Sequence, residues 1–332
     1  MLWPVALAVL SLQSAAPTYG TFTNDVVELL TINRTVPGTA ENSLVHQGYR
    51  YLFSSPVTLE KFKANPRAYE VQLGGACGQL GELSTRGDTN HYLVSGRRLF
   101  IFSSEASRDA FKANPRGYLD SDDRAPTAIK AARDRGAGLV AQARTWAGLD
   151  NLGPQAAITF TVSQGTFSEV ARVGPGTDYF EQTMYDGAGT GYEIRLGKAF
   201  AVANKGASEE LLPSWRRALE RRRARNFVYL LMAKPTNRNF FAYRSSNGGV
   251  ATVEAYVDRV LTTLRIEEGS GRLLGTKTRQ RAENGLMGWV DRTFTQFATI
   301  DGVTLPIAWT ATFDGADAPI FARRGIRVSL SR

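Results

Sequence analysis

Hydrophobic and polar positions alternate through much of the second half of the chain. Ile158, Phe160 and Val162 are separated by Thr159 and Thr161, and Val253, Ala255 and Val257 by Glu254 and Tyr256. The same two-residue rhythm places Leu305, Ile307, Trp309, Ala311 and Phe313 opposite Ala308, Thr310 and Thr312. A period of two sends successive side chains to opposite faces, so these segments read as strands with one apolar face. Turn signals fall between them, at Gly174-Pro175-Gly176, Asp186-Gly187, Gly248-Gly249, Gly269-Ser270-Gly271 and Asp301-Gly302. Connections this short cannot carry parallel crossovers, which predicts an antiparallel meander.

Two segments change to a helical rhythm. Ile129, Ala132, Gly136, Leu139, Val140, Ala143, Trp146 and Ala147 recur at three- and four-residue spacing, which predicts an amphipathic helix over 127–147 stopped by Gly148. The second helix is expected to be capped by Ser208, with Glu209 and Glu210 in its first turn and an inward stripe of Leu211, Leu212, Trp215 and Leu219. Its C-terminal end carries Arg216, Arg217, Arg221, Arg222, Arg223 and Arg225, which complement the dipole and read as a solvated face.

The first third contains an internal repeat at a spacing of 49 residues. Segments 51–69 and 100–118 agree at ten of nineteen positions and share Phe-Ser-Ser followed by Phe-Lys-Ala-Asn-Pro-Arg. Each copy parses as a strand (49–53; 99–102), a serine cap at Ser55 or Ser104, and a short helix that ends at Asn65 or Asn114. The helix ends there because the following proline disfavours helical geometry in its predecessor. Phe62 and Phe111 are expected to face the strand, with Tyr69 and Tyr118 closing each unit.

The run Gly48-Tyr-Arg-Tyr-Leu-Phe-Ser-Ser, then Leu59 to Tyr69, then Gly74-Gly-Ala-Cys77, resembles the YHS domain, with a resemblance covering about residues 22–120. Some members of that family are associated with heavy metals through cysteines after the strand phenylalanine. Here those positions are Ser54 and Ser55, and again Ser103 and Ser104, so no metal site is expected. Polar Ser121 to Pro126 reads as a linker. Beyond it, Leu139 to Gly148, Gly285 to Trp289 and the Asp301-Gly-Val-Thr-Leu-Pro306 turn resemble the half-barrel domains of periplasmic lipoprotein carriers, over about residues 127–332. The resemblance implies an apolar concave face that receives acyl chains. The residues carried onto that face are Phe160, Val162, Met184, Phe200, Leu264, Phe294, Trp309 and Phe313. The fold expectation is therefore α+β: a small YHS-like unit followed by a curved antiparallel half-barrel with a few covering helices.

Composition narrows the chemistry. With 43% apolar residues in 332, the chain can bury real cores. One cysteine and two histidines, His46 and His91, leave too few ligands for a Cys/His zinc site and allow no internal disulfide. No cofactor is implied. Met1 to Ala16 has the outline of a secretory signal, with an apolar core followed by Ser14-Ala15-Ala16, and implies export to the periplasm or medium. The net charge of +9 matches no nucleic-acid module, so nucleic acid is not expected, while Arg216, Arg217, Arg221, Arg222 and Arg223 could meet an anionic membrane surface.

No Ser-His-Asp order, carboxylate pair or His-Glu-x-x-His motif stands out, and a non-enzymatic protein is expected. The leading expectation is an exported carrier of a lipid, acyl chain or other apolar ligand. A metal- or redox-responsive protein acting through Cys77 as a reactive thiol, and a structural or partner-binding protein of the cell envelope, are the alternatives.

Overall fold

A computed structural model describes residues 19–164, 167–174, 180–184, 191–195, 202–204, 207–209 and 213–331. The apolar leader at 1–16, the Asp186-Gly187 turn, Leu211 and Leu212 lie outside the described residues.

The repeat folds as its pattern requires. Strand β1 (Gly20–Phe22) precedes helix α1 (Val26–Ile32), hairpin β2 (Thr39–His46) and β3 (Tyr49–Phe53), and helix α2 (Pro56–Ala64). The second copy supplies β4 (Asp88–Ser95), β5 (Arg98–Phe102) and α3 (Glu105–Ala113). Ser55 Oγ accepts from the Thr58 amide at 3.3 Å, and Ser104 Oγ accepts from the Ser107 amide at 3.2 Å. Asn65 and Asn114 end the helices in nearly the same non-helical geometry, φ −149° and −147°. Phe62 and Phe111 are fully buried. Each stacks near its closing tyrosine, Tyr69 at 6.3 Å and Tyr118 at 5.9 Å between ring centroids.

Strands β1, β3 and β2 form a mixed sheet in which β1 runs parallel to β3, and β4 pairs with β5 alone. Period-two alternation on β5 joins the two copies. Leu99 and Ile101 enter the core built around Tyr49, Tyr51, Phe53 and Phe62, while Phe100 and Phe102 face Phe111 and Cys77.

Helix α4 (Lys130–Trp146) follows, and Gly148 terminates it in the left-handed region at φ 69°. Ile129, counted on its apolar stripe, instead precedes the first turn and is exposed. The remaining chain forms two seven-stranded antiparallel sheets. The first contains β6 (Ala157–Gln164), β7 (Phe167–Val173), β8 (Phe180–Met184), β9 (Gly191–Arg195), β10 (Val202–Asn204) and β11 (Ala207–Glu209) in sequential order. Because Ser208 pairs across to Ala203 in a strand, it does not cap the next helix, and α5 begins later (Pro213–Ala224).

A second short helix, α6 (Phe227–Met232), follows at once; Asn226 Oδ1 caps it by accepting from the Val228 and Tyr229 amides. The second sheet is the predicted meander: β12 (Phe240–Asn247), β13 (Val250–Val257), β14 (Val260–Glu267), β15 (Leu273–Arg281), β16 (Met287–Ile300), β17 (Val303–Phe313) and β18 (Ala316–Asp317). The final strand, β19 (Arg327–Ser331), returns to pair with β6 and completes the first sheet. Just before β19, Trp309 and Arg323 exchange backbone hydrogen bonds at 2.9 and 3.1 Å, which links the edge of the second sheet to the segment entering the first. Register shifts at Tyr243, Arg265 and Phe294 mark bulges, the device by which strands bend.

Both sheets and all three nearby helices feed one core, in which Leu139, Val140 and Ala143 of α4 and Leu230 and Leu231 of α6 meet Ile158, Val253, Leu264 and Ile266. The fold class is thus α+β, with small mixed sheets and a seven-stranded antiparallel meander.

Candidate functional site

Helices α4 and α6 cover part of the apolar sheet surface and leave a cavity of about 1030 Å³ beside it. Its apolar wall is built from Phe160 and Val162 of β6, Phe227 of α6, Phe294 of β16, Trp309 of β17 and Ile326. The two strand pairs reach it by alternation: Phe160 and Val162 share one face of β6, and Phe294 and Trp309 are direct cross-strand partners. Their rings meet edge-on at 5.9 Å, and Phe227 bridges Phe160 and Phe294 at 5.7 and 5.4 Å. A continuous aromatic surface results. Trp309 is oriented by its indole N–H, which donates to the Phe321 carbonyl at 2.9 Å.

Of the eight lining positions expected from sequence, Phe160, Val162, Phe294 and Trp309 border this space. Leu264 does not: it is fully buried in the core beneath the helices. Phe313 lies at the far end of β17, stacked on Phe321 at 5.8 Å, and is not part of the wall. Met184 ends strand β8, its side chain outside the described residues, and Phe200 lies outside them altogether. Phe227 belongs to no alternating run, and Ile326 opens the short alternating stretch Ile326-Arg-Val-Ser-Leu330, which leads into β19 and was not read as a strand. The one available signal for Phe227 was Asn226, a capping residue directly before the apolar stretch Phe227 to Met232.

A second wall is largely polar and comes partly from the repeat unit. The loop residues Leu80, Glu82, Leu83 and Ser84 and the following Asp120 meet Arg222 and Arg225 at the end of α5 and Arg281 at the end of β15. The arginine run is therefore not a solvated face. Arg221 is buried against Glu82 at 2.9 Å and Asp120 at 3.2 Å, Arg225 holds Asp120 through two bonds of 3.0 and 2.7 Å, and Arg217 holds Asp122 at 2.6 Å. Arg223 reaches Asp258 at 3.4 Å, which leaves Arg216 as the exposed member of the set proposed for a membrane surface.

Asp123, within the stretch expected as a linker, is tied down too: its carboxylate accepts from the Leu261 amide at 2.8 Å and its amide donates to Arg259 O. Sequence alone could not pair these charges, because every partner lies far along the chain.

Burial and ion pairing compete over ionisation in this cluster. Burial pushes the Glu82 carboxyl up despite the nearby Arg221 and Arg281 cations. Burial also opposes ionisation of Asp120, but the hydrogen bonds and charge of Arg225, with Arg221 behind it, hold that carboxyl below the usual range. Arg281, enclosed among the Gln79, Tyr118 and Gly285 carbonyls, is brought down by burial.

Cys77 sits elsewhere, fully buried in the second-copy core. Burial raises a thiol, yet Ser103 donates to its sulfur from both Oγ and the amide, at 3.5 and 3.4 Å, and with the Gln79 and Leu80 amides it brings the thiol below its ordinary value. The first copy uses the equivalent serine in the same way: Ser54 donates from amide and hydroxyl to buried Asp25, each at 2.8 Å. His46 is bound to Glu70 at 2.7 Å, and His91 lies on β4. Among the described residues, no group of three His, Cys, Asp or Glu side chains converges as a metal site. No described helix is long and apolar enough to cross a membrane.

No family model and no curated protein matches the chain. Its structure is similar to that of a DUF1329 family protein. That protein, from Desulfovibrio piger, is 9% identical, and the match covers 60% of this chain and 91% of that one with a TM-score of 0.34.

Proposed function

We propose that the protein is an exported, non-enzymatic binding protein that holds an acyl chain or comparable apolar ligand between its sheets and α5–α6, with the YHS-like repeat as one wall of the site. The observation that carries this reading is the aromatic wall of Phe160, Phe227, Phe294 and Trp309 facing a cavity of about 1030 Å³. That size is at the upper end of the range for small-molecule sites, about 300–1,000 Å³, which are mostly apolar with a few convergent polar groups. An apolar guest gains about 25 cal/mol per Å² of surface removed from water, offset by the entropy of association. The expected resemblance to lipoprotein carriers fits the same site, because an aromatic surface along a cavity beside a bent sheet is what an acyl chain requires.

Native mass spectrometry of the purified protein tests the reading. A bound mass that organic extraction removes, and that added long-chain lipid restores, is the expected result. A ligand-free mass that takes up no added chain overturns it.

A further inference from the structure

We infer that the ligand is amphipathic, with an anionic head group held by the arginines on the polar wall of the cavity while its chain lies on the aromatic wall. The inference deepens the binding reading above and rests on it. Aromatic and cationic side chains line a single cavity, which suits a molecule with one end of each kind. Five arginines border the space, against three carboxylates, Glu82, Asp120 and Glu283.

Two of those arginines carry buried N–H groups with no hydrogen bond. Arg281 spends Nη1 on three backbone carbonyls while its Nη2 makes none, lying 3.5 Å from Glu82 without bonding geometry. Arg225 spends both terminal nitrogens on Asp120 and leaves Nε unsatisfied. A buried cationic donor without an acceptor is costly, and the charge of these two cavity-lining side chains favours an anion beside them. Carboxylate and phosphate heads share this chemistry, and the probes below separate them.

The test is calorimetric titration of the full chain with four ligands of equal length: dodecanoate, dodecyl phosphate, dodecanol and dodecyltrimethylammonium. Both anionic ligands are expected to bind about tenfold or more tighter than dodecanol, with the cation weakest. The stronger of the two anions identifies the head group. Arg222→Gln, on the polar wall, should narrow the ratio of dodecanoate to dodecanol affinity, and Glu283→Gln, at an exposed position, should widen it. Equal binding of dodecanol and the anions overturns the head-group inference and leaves the apolar site standing. Failure of all four ligands to bind overturns both.

Discussion

Replacing Arg221 by methionine removes a cation from the buried join between the repeat unit and the cavity while keeping much of its apolar bulk. The Arg221 side chain is 6% exposed and lies 2.9 Å from Glu82, 3.2 Å from Asp120 and 3.6 Å from Asp122. Once it is gone, Asp120 still has Arg225, but the closest described cation to Glu82, itself 8% exposed, is Arg281 at 3.5 Å. Deleting one partner of a buried pair costs about 3–5 kcal/mol, because the other charge stays desolvated and loses its compensation. Arg221→Met should therefore lower stability at pH 7 by about that amount, measured from urea midpoints followed by circular dichroism. Adding Glu82→Gln removes the stranded charge and should recover at least half of the loss.

The pH dependence has a definite sign. A carboxyl whose folded pKa stands above its unfolded value destabilises the fold as it ionises, so its penalty grows as pH rises from the unfolded value through the folded one. Burial already raises Glu82, and loss of Arg221 raises it further, so the deficit of the variant should shrink as pH falls through the carboxylate range. A single variant within about 1 kcal/mol of wild type, as for an exposed pair, or a double variant no better than the single, would refute the reasoning.

The repeat unit should respond to Asp25→Asn, because Asp25 is fully buried and accepts from Val27 and from both donors of Ser54. We expect a loss of about 1.5–3 kcal/mol, the worth of hydrogen bonds to a charged group. Those bonds outweigh burial and hold the Asp25 carboxyl below the usual range, so its contribution is present above the unfolded value and is lost as pH falls through the folded one. Urea midpoints at neutral and acid pH should therefore show the gap to wild type closing on the acid side.

Two glycines of α4 separate close packing from backbone freedom. A Cβ at Gly136 would lie 2.4 Å from the Phe241 carbonyl oxygen on β12, whereas one at Gly138 meets nothing within 4 Å. Gly136→Ala should cost about 1–3 kcal/mol, and Gly138→Ala should stabilise by about 0.5–1 kcal/mol; thermal denaturation of both checks the opposite signs.

Features that rest on neighbours in the chain were legible in the sequence. Ser55, Ser104, Asn65 and Asn114 mark both ends of the repeat helices because caps and Asn-Pro breaks act within four residues. The order of the meander follows from hairpin turns such as Asp301-Gly302, whose φ angles of 49° and 79° are the left-handed pair a tight hairpin needs.

The start of α5 was misplaced because Ser208 and Glu209 have the chemistry of a helix opening, yet pairing with β10 claims them for a strand. Leu264 and Phe294 both lie in alternating runs. Which of them is wholly enclosed and which borders the cavity depends on the seating of α4 and α6, and no local pattern encodes that. The arginine run was misread for the same reason, since its partners Glu82, Asp120 and Asp258 come from three separate parts of the fold.

Trp309 makes the site itself observable, since its ring borders the cavity. Terminally brominated dodecanoate quenches a tryptophan only at close range, so titrating it into wild type and Trp309→Phe reports whether a chain enters. Saturable quenching at one ligand per chain, largely lost in Trp309→Phe, is the predicted result. Absence of saturable quenching, or equal quenching in both proteins, would contradict a chain lying against the aromatic wall.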